Sequence, residues 1–328
     1  EKKWLSTELH NKMNIIFAGT PKFAADHLKI LLDSDHVVKC ILTQPDRGSG
    51  RGKKVKISPV KKIALNEGIE VLQPSALTDE TTVQALKSIK ADLMLVVAYG
   101  LLIPKKFLDI TNMGCLNVHA SILPNWRGAA PIEYSIFSGD LETGVSYMRM
   151  TEGLDEGPVL EVHKCKIEKE DDLGTLEKKF VELSKKNLLP FLNKYKQGDL
   201  KEIPQENSKA TFAPKINSTY QQIDWENSSD EIDRKVRSLN PKYGAFTFLG
   251  KKRIKIYKSL PIQIKSKLEP GFIGVSEDGK LLVGCINNTA LKVDEIQIEG
   301  KGVVKSEEFI RGYKALIDQE IKFSSKTR

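Results

Sequence analysis

The sequence feature that most constrains the fold is the run LMLVVAYG, residues 93–100, which is apolar at almost every position. A strand with one face in water alternates apolar and polar residues, whereas a strand covered on both faces is apolar throughout. Strands of the second kind are typical of parallel sheets that carry helices on both faces. The run therefore predicts a central parallel strand in an α/β fold.

Strands and helices are predicted to alternate around this run. NIIFAG and VVKCILTQ are predicted strands, and the segment between them opens at Thr20-Pro21 and has apolar residues at helical spacing. The alternation predicts an N-terminal Rossmann-like open, mostly parallel sheet with helices on both faces. Further strands are predicted at IEVLQP, GCLNVHAS, GVSYMRM and VLEVHKCKI, and further helices over 59–66, 79–90, 128–138 and 173–195.

The character of the chain changes after residue 196. The next 19 residues are polar, contain two prolines and show no hydrophobic period, which is typical of a linker. Beyond them Ser228 and Glu231 match a capping box, and five short strand-like pieces separated by turns predict a small OB-like β-barrel. We expect a catalytic domain over 13–196, a linker over 197–215, a C-terminal β-barrel domain over 216–328, and a leader or upstream remnant over 1–12.

Composition limits the classes of function. The chain has 328 residues, of which 40% are hydrophobic and 29% charged, as is typical of a soluble globular protein. No apolar run approaches the ~18 residues of a membrane span, and the first residues lack the apolar core of a signal peptide. The four cysteines are widely spaced and form no C-x-x-C pair. We therefore expect a cytoplasmic protein with neither a membrane segment nor a metal site.

The segment NVHASILPNWRGAAP, residues 117–131, concentrates stiff and polar residues at the end of a predicted strand. Asn117 and His119 are two residues apart, so a strand would direct both side chains to the same face. Ligands of parallel α/β sheets sit at the carboxyl ends of strands. A lone histidine is often a core residue with satisfied nitrogens, but an amide donor beside an imidazole can bind a developing oxyanion. The pair therefore predicts acyl-transfer chemistry.

A second candidate is GLDEGP, in which Asp155 lies between Gly153 and Gly157. Glycines permit tight backbone near a ligand, although the same pattern suits a simple acidic turn. A carboxylate that raises the pKa of a histidine, or that takes a proton from an amine, would complete an acyl-transfer site. Asp155 is therefore the third candidate catalytic residue.

The segment GCLNVHASILPNWRGAAPIEYSIFSGDLETGVSYMRMTEGLDEGPVL resembles the signature region of the 10-formyltetrahydrofolate-dependent formyltransferases. IIFAGTPKFAADHLKILL, TQPDRGSGRGKK and VVAYGLLIP match that family in order, as do IDW and RSLNPKYGAFT in the second half. The basic segment and the second domain resemble the branch of the family that acts on initiator methionyl-tRNA. The sequence departs at Ile122, where leucine is usual, and an isoleucine there preserves an apolar wall.

The resemblance implies a reaction and a role for each candidate residue. The formyl group of 10-formyltetrahydrofolate, a cosubstrate, would pass to the free α-amino group of methionine on initiator tRNA. Asn117 and His119 would stabilise the oxyanion, while Asp155 would orient and charge His119 and help to remove the proton of the amine. The implied folate pocket comprises Tyr99, Gly100, Leu101, Leu102, Ile103, Ser121, Ile122, Leu123 and Pro124.

The segment PDRGSGRGKKVK, residues 45–56, holds five cationic side chains against one aspartate, with three glycines between them. It is either a solvated charged loop or part of a surface for a polyanion, and the net charge of +8 fits both. The resemblance implies a flexible arm that orders on the acceptor stem of the tRNA. The implied tRNA-binding residues are Arg47, Arg51, Lys53 and Lys54.

Two other functions remain open at this point. A formyltransferase acting on a small amine, of the amino-sugar or glycinamide-ribonucleotide type, would share Asn117, His119 and Asp155 but would not need residues 205–328 in this form. A non-catalytic RNA-binding protein would need none of these three side chains. Nothing in the sequence indicates an obligate dimer, and we expect a monomer whose partners are initiator methionyl-tRNA and 10-formyltetrahydrofolate.

Overall fold

The computed structural model describes residues 12–49, 54–265, 268–317 and 322–324, without the side chains at 47, 49, 54, 55 and 315–317. The chain divides into two compact units. The first extends through Pro131 and includes Glu142–Cys165 and Glu177–Ala213, while the second comprises Ile132–Leu141, Lys166–Leu176 and the chain from Pro214 onward. The domain boundaries expected from sequence remain predictions, and two stretches inside 13–196 belong to the second unit by this division. Most of residues 1–12 lie outside the described residues.

Strands and helices alternate through the first two-thirds of the chain, as the sequence predicts. In chain order the elements are β1 (Asn14–Gly19), α1 (Lys22–Leu32), β2 (Val37–Leu42), β3 (Arg47–Ser49), β4 (Lys54–Lys56), α2 (Pro59–Asn66), β5 (Glu70–Leu72), α3 (Glu80–Ser88), β6 (Leu93–Val97), α4 (Lys105–Leu108), β7 (Cys115–His119), β8 (Arg127–Gly128), α5 (Pro131–Ser138), β9 (Glu142–Arg149), β10 (Val159–Lys166), α6 (Leu173–Gln197), a 3₁₀ turn (Asn207–Lys209) and β11 (Phe212–Ala213).

A seven-stranded sheet forms the core of the first unit, in the order β10-β9-β7-β6-β1-β2-β5. β1 pairs in parallel with β2 and β6, β6 with β7, and β2 with β5, whereas β9 runs antiparallel to β7. All five residues of β6 are buried, as expected for a strand covered on both faces. The prediction of a mostly parallel α/β sheet is confirmed. In the strand order β7 lies next to β6, the central strand.

The helix predicted over 128–138 is wrong at its start, because α5 begins at Pro131. Arg127 and Gly128 instead form β8, which pairs in parallel with β11. The φ angle of Gly128 is +121°, and a Cβ there would lie 2.7 Å from the carbonyl oxygen of Ala213. The close approach of β11 therefore requires a glycine and excludes a helical backbone at this position.

The segment predicted as a linker is held to the first unit at several points. Ile203 exchanges two backbone hydrogen bonds with Val159, each 2.9 Å long. Thr211 accepts a backbone hydrogen bond from Arg127 at 2.9 Å, and β11 follows at once. Backbone hydrogen bonds hold this segment in place. It therefore needs no apolar face, and its sequence shows no hydrophobic period.

The second unit contains an antiparallel sheet in the order β12-β13-β16-β15-β14, with β17 paired to β16. Residues 322–324 bridge Phe248 in β12 and Phe272 just ahead of β14, so this segment connects the two ends of the strand order. The sequence predicted a small OB-like β-barrel for this half of the chain, and the C-terminal antiparallel β domain confirms that reading of the fold class. Its elements are α7 (Ser218–Gln221), α8 (Ser229–Leu239), β12 (Ala245–Leu249), β13 (Lys252–Gln263), β14 (Ile273–Val275), β15 (Leu281–Gly284), β16 (Thr289–Ile298), β17 (Val303–Lys305) and α9 (Ser306–Ile317).

The capping box predicted from sequence starts α8. The Ser228 hydroxyl accepts from the backbone N–H of Glu231 at 3.3 Å, and the Glu231 carboxylate accepts from the backbone N–H of Ser228 at 2.9 Å. Two of the donors that a helix N-terminus leaves unpaired are thereby satisfied. α9 was not predicted from the sequence. Among the helices in the described ranges, none is both long and apolar enough to cross a membrane.

Candidate active site

The carboxyl end of β7 presents Asn117 and His119 on one face of the sheet. β7 is held in parallel by β6 and antiparallel by β9, in which Ser146 is the register partner of His119. Both side chains are buried, with 8% of Asn117 and 5% of His119 exposed. Because strands on both sides hold β7, the two side chains are fixed in direction, which suits an arrangement of donors that must not reorganise during a reaction.

Asp155 lies in the turn between β9 and β10 and faces both residues of β7. Its Oδ1 accepts a hydrogen bond from Asn117 Nδ2 at 3.3 Å, and its Oδ2 lies 3.7 Å from His119 Nδ1. The backbone N–H of Gly128 donates to Oδ2 at 2.8 Å. The three candidate catalytic residues are therefore brought together, and a backbone donor that sequence reasoning missed joins them.

The carbonyl of Trp126 determines which nitrogen of His119 carries hydrogen. His119 Nε2 lies 3.0 Å from the Trp126 carbonyl oxygen, which can only accept, so Nε2 is the donor in this contact. His119 Nδ1 then faces the Asp155 carboxylate across 3.7 Å, too long for a hydrogen bond but within ion-pair range. Trp126 has a left-handed backbone, with φ +61°, and its N–H donates to Thr211 Oγ1 at 2.9 Å.

This cluster combines a carboxylate, an imidazole and an amide donor in a small space. The Asn117 amide nitrogen carries two hydrogens, and its bond to Asp155 uses one of them. An imidazole can act as a general acid or base, and a carboxylate beside it can take part in the same proton transfer. The arrangement can therefore stabilise an oxyanion and accept a proton from an attacking nucleophile.

The segment that follows β6 is held by hydrogen bonds to its backbone. The carbonyl of Tyr99 accepts from Thr20 Oγ1 at 3.1 Å and from Gln44 Nε2 at 3.0 Å. Gly100 has φ +84°, and a Cβ there would lie 2.5 Å from Gln44 Nε2. Burial raises the pKa of the Tyr99 phenol to about 12, so the ring stays neutral as part of the core.

The predicted folate-binding residues fall into two groups. Four have buried side chains and so support the backbone around the site rather than line an open surface. The buried group is Tyr99, Ile103, Ser121 and Leu123, and the exposed or partly exposed group is Gly100, Leu101, Leu102, Ile122 and Pro124.

The loop from 121 to 125 is braced from within. Ser121 Oγ donates to the Asn125 carbonyl at 2.5 Å. Ser146 Oγ donates to the Ser121 carbonyl at 2.7 Å and accepts from the Leu123 N–H at 3.1 Å. Leu123 packs against Met148. The loop is therefore held by a hydrogen bond of its own and by two hydrogen bonds with Ser146 of β9.

The predicted tRNA-binding residues lie in and around the β3–β4 pair. β3 and β4 are antiparallel, with Arg47 opposite Lys56. The backbones of Arg47 and Lys54 belong to these strands, whereas Arg51 and Lys53 lie outside the described residues. The segment predicted as a flexible loop therefore has a hairpin stem, because its two ends pair with each other.

Gln205 is a further residue of this region that the sequence did not indicate. Its side-chain amide contacts the turn that carries Asp155, from within the stretch predicted as a linker. No local sequence pattern marks such a contact, since it joins positions 50 residues apart. Within the described part of the chain, no group of three or more His, Cys, Asp or Glu side chains is arranged to hold a metal ion.

Comparison with known proteins shows matches over nearly the whole chain. Residues 12–192 match the family model described as "Formyl transferase", and residues 215–314 match "Formyl transferase, C-terminal domain". A methionyl-tRNA formyltransferase of Coxiella burnetii is 43% identical over 301 residues, which cover 92% of this chain and 96% of that protein.

Two solved structures share the fold at low sequence identity. HypX from Aquifex aeolicus, in complex with tetrahydrofolic acid, has a TM-score of 0.63 and 18% identity over 91% of this chain and 47% of that one. This chain thus spans about half the length of that protein. WlaRD, a sugar 3N-formyl transferase, has a TM-score of 0.62 and 18% identity over 88% of this chain and 99% of that one.

Proposed function

This chain belongs to the formyl transferase family through both its N-terminal and its C-terminal domain, and on that premise we propose that it formylates the methionine carried by initiator tRNA. The formyl donor is 10-formyltetrahydrofolate, and the product is N-formylmethionyl-tRNA for the initiation of translation. The Coxiella burnetii relative named methionyl-tRNA formyltransferase covers 92% of the chain. The cluster of Asn117, His119 and Asp155 is the observation that carries the chemistry.

The proposed reaction is an acyl transfer between two nitrogens. The free α-amino group of the methionyl ester attacks the formyl carbon, and a new C–N bond gives a tetrahedral intermediate with a negatively charged oxygen. The bond between that carbon and N10 of the folate then breaks. The proton lost by the amine is matched by one gained at N10, so tetrahydrofolate leaves without any change of oxidation state.

We propose a role for each side chain of the cluster in this reaction. Asn117 donates the hydrogen of Nδ2 that Asp155 does not use, and His119 donates from Nδ1 once that nitrogen holds a proton. Asp155 faces Nδ1 and so favours that proton, and it helps to take the proton of the attacking amine. Gly128 keeps the carboxylate directed at the histidine.

The two substrates are proposed to meet at the carboxyl ends of β6 and β7. We place the pterin of the folate against the chain after β6, with Leu101, Leu102, Ile122 and Pro124 as the accessible apolar contacts. Arg47, Arg51, Lys53 and Lys54 are proposed to contact the acceptor stem of the tRNA. We retain the predictions that the protein acts as a monomer, in the cytoplasm, and without a metal.

Formyl transfer to a small amine is the second candidate, since WlaRD acts on a sugar and shares the fold. A fold shared at 18% identity does not fix the acceptor. The match of residues 215–314 to the C-terminal domain model, together with the relative that covers both domains, favours the tRNA acceptor.

The test is a formylation assay with purified full-length protein and 10-formyltetrahydrofolate. Charged initiator tRNA, free methionine and an amino sugar are offered as separate acceptors. We expect rapid formylation of the charged tRNA, little of the two small amines, and loss of activity with a preserved fold in Asp155→Asn. Equal rates with the small amines would favour the second candidate, and a fully active Asp155→Asn protein would reduce Asp155 to a turn residue.

A further inference from the structure

The turn that carries Asp155 needs an external support. Asp155 has φ +48°, in the left-handed region that residues other than glycine seldom adopt. A strained conformation of this kind persists only where the surrounding structure holds it in place. The hydrogen bonds from Asn117 and Gly128 hold the carboxylate but not the backbone of the turn.

The side-chain amide of Gln205 supplies the missing backbone support. Gln205 Nε2 donates to the carbonyl of Asp155 at 2.8 Å and to the carbonyl of Gly157 at 2.7 Å. An amide nitrogen has two hydrogens, so both are used to join these two carbonyls. A single side chain thus spans the turn from one carbonyl to the other.

The other end of the same amide is fixed by a buried arginine. Gln205 Oε1 accepts from Arg127 Nε at 3.0 Å and from Arg127 Nη2 at 2.9 Å, and Nη2 also donates to Asn207 Oδ1 at 2.9 Å. Arg127 is 4% exposed. A guanidinium offers only donors, so it must face the amide oxygen, and Nε2 is therefore directed at the turn.

These contacts close a ring around Asp155. From its carboxylate the ring passes through the Gly128 N–H to Arg127, then through Gln205 back to the carbonyl of Asp155. We propose that Gln205 is a positioning residue, whose two N–H donors hold the Asp155 turn in the conformation that directs the carboxylate at His119. This proposal rests on the proposed acyl-transfer role of Asp155 and assigns a task to the segment between the two family domains.

Two variants isolate the donors of Gln205. Gln205→Glu keeps an oxygen acceptor for Arg127 and adds a charge, whereas Gln205→Met loses that acceptor and adds no charge. Both remove the two N–H donors. We expect kcat to fall about 10- to 100-fold in each, as for a small displacement of a catalytic group. KM for charged tRNA and for the folate should stay within about two-fold of the parent value, because neither substrate is bound by Gln205.

The neighbouring Glu206→Gln is the matched control. Glu206 is exposed and pairs with Lys209 at the surface, so its change should leave kcat near the parent value. A purely structural role of Gln205 predicts that thermal stability falls while kcat of the folded protein is unchanged. Gln205→Glu with parent kcat would overturn the proposal, whatever its melting temperature.

Amide hydrogen exchange tests the positioning role without any assay of activity. The N–H of Gly128 is protected by the Asp155 carboxylate. Peptides covering 127–131 and 150–158 should exchange faster in Gln205→Glu and Gln205→Met than in the parent and in Glu206→Gln. Unchanged exchange in both variants would overturn the proposal. If the parent protein itself fails to formylate tRNA, the proposed function is at fault, and exchange alone decides the role of Gln205.

Discussion

At the residue scale, the chemistry depends on the directions of a few hydrogen bonds. The Trp126 carbonyl occupies Nε2 of His119, which leaves Nδ1 as the nitrogen on the side of Asp155. The Asn117 amide faces the same carboxylate. Two side chains of β7 therefore face one carboxylate, and replacing either should leave the other in place because β6 and β9 both hold the backbone of β7.

Replacing Asn117 or His119 by alanine should lower kcat by roughly 10²–10³, the usual effect of losing one oxyanion donor. The affinity for charged tRNA should change little, since neither side chain is expected to contact the bulk of the tRNA. Steady-state kinetics and a direct binding measurement check the two parts. His163→Ala is the matched control, because that histidine pairs with Glu161 away from the cluster. Near-parent turnover in His119→Ala would remove it from the catalytic assignment.

A second histidine predicts a dependence of stability on pH. His27 is fully buried, with Nδ1 at 2.8 Å from the Phe23 carbonyl and Nε2 at 2.8 Å from Ser184 Oγ. Burial lowers its pKa from 6.5 to about 4. The unfolded chain therefore binds a proton below pH 6.5 that the folded chain does not bind until about pH 4. The neutral, buried imidazole therefore makes its full contribution to the free energy of unfolding above pH 6.5. This contribution is lost as the pH falls from 6.5 to about 4.

The free energy of unfolding should fall by about 3 kcal/mol, because the pKa of His27 differs by roughly two and a half between the folded and the unfolded chain. The free energy of unfolding of the parent and of His27→Gln should be measured by denaturant titration between pH 8 and pH 4. Carboxylates common to both proteins cancel in the difference. We expect the advantage of the parent to shrink by about this amount over that range. A difference that stays constant with pH would contradict the expectation.

Asn117, His119 and Asp155 could be singled out from the sequence because each stands in a local pattern, and the structure brings them together, while their catalytic role stays a prediction. Asn117 and His119 are two positions apart on a strand, and Asp155 stands between two glycines. Gln205 could not be predicted, because its function depends on a contact with positions 50 residues away and on no repeated pattern. Trp126 acts through its carbonyl, which every residue has, so its side-chain identity gave no indication of that role.

At the scale of elements, the start of α8 was predicted correctly, whereas the start of α5 was not. The capping box at Ser228 and Glu231 was predicted from two residues and is present in α8. Because such a cap depends on side chains three positions apart, distant parts of the fold do not alter it. The same locality makes the cap a good site for a quantitative test.

Ser228→Ala should lower the free energy of unfolding by about 1 kcal/mol, the typical value of an N-cap. The hydroxyl that accepts from the Glu231 N–H is lost, and that donor becomes unpaired at the helix end. Ser138→Ala is the matched control, since Ser138 is exposed at the last residue of α5. Chemical denaturation, followed by a signal from the second unit, should show a lower free energy of unfolding for Ser228→Ala than for Ser138→Ala. Equal stability of both would show that water replaces the cap.

Elements that depend on non-local pairing were missed or misassigned. β8 and β11 are two residues each and 85 positions apart, so neither shows a period. α9 contains Gly312 and a non-helical Tyr313 with φ −129°, both of which weaken a helical pattern. Packing of Phe309, which is 2% exposed, helps to stabilise this helix in the fold. Tertiary contacts therefore determine whether these elements form, and local propensity alone does not predict them.

At the scale of the whole molecule, each of the two units has a core of its own, and the net charge of the chain is +8. That charge suits a polyanionic substrate, but it does not by itself show where the substrate binds. The segment over 45–56 holds five positive charges within twelve residues, and Lys29, Lys62 and Lys87 lie outside it on α1, α2 and α3. The distribution, rather than the total, should determine the response of tRNA binding to salt.

The affinity for charged initiator tRNA should fall linearly with the logarithm of salt concentration, with a slope that counts the phosphates neutralised by the protein. Changing Arg47, Arg51 and Lys53 to alanine should flatten that slope by about two to three units, roughly one for each phosphate that no longer meets a cation. The matched control changes Lys29, Lys62 and Lys87 to alanine, which are exposed on α1, α2 and α3 and lower the net charge equally.

Filter binding or fluorescence titration over a salt series, from about 50 to 200 mM, gives the three slopes directly. We expect the control to match the parent slope and the hairpin variant to be flatter, because counterions are released only where a cation meets a phosphate. Transfer measured at saturating tRNA should remain, since Arg47, Arg51 and Lys53 are proposed to bind the tRNA and not to take part in the reaction. Identical slopes for the hairpin variant and the parent would make this segment a solvated surface and would leave tRNA binding to the C-terminal domain.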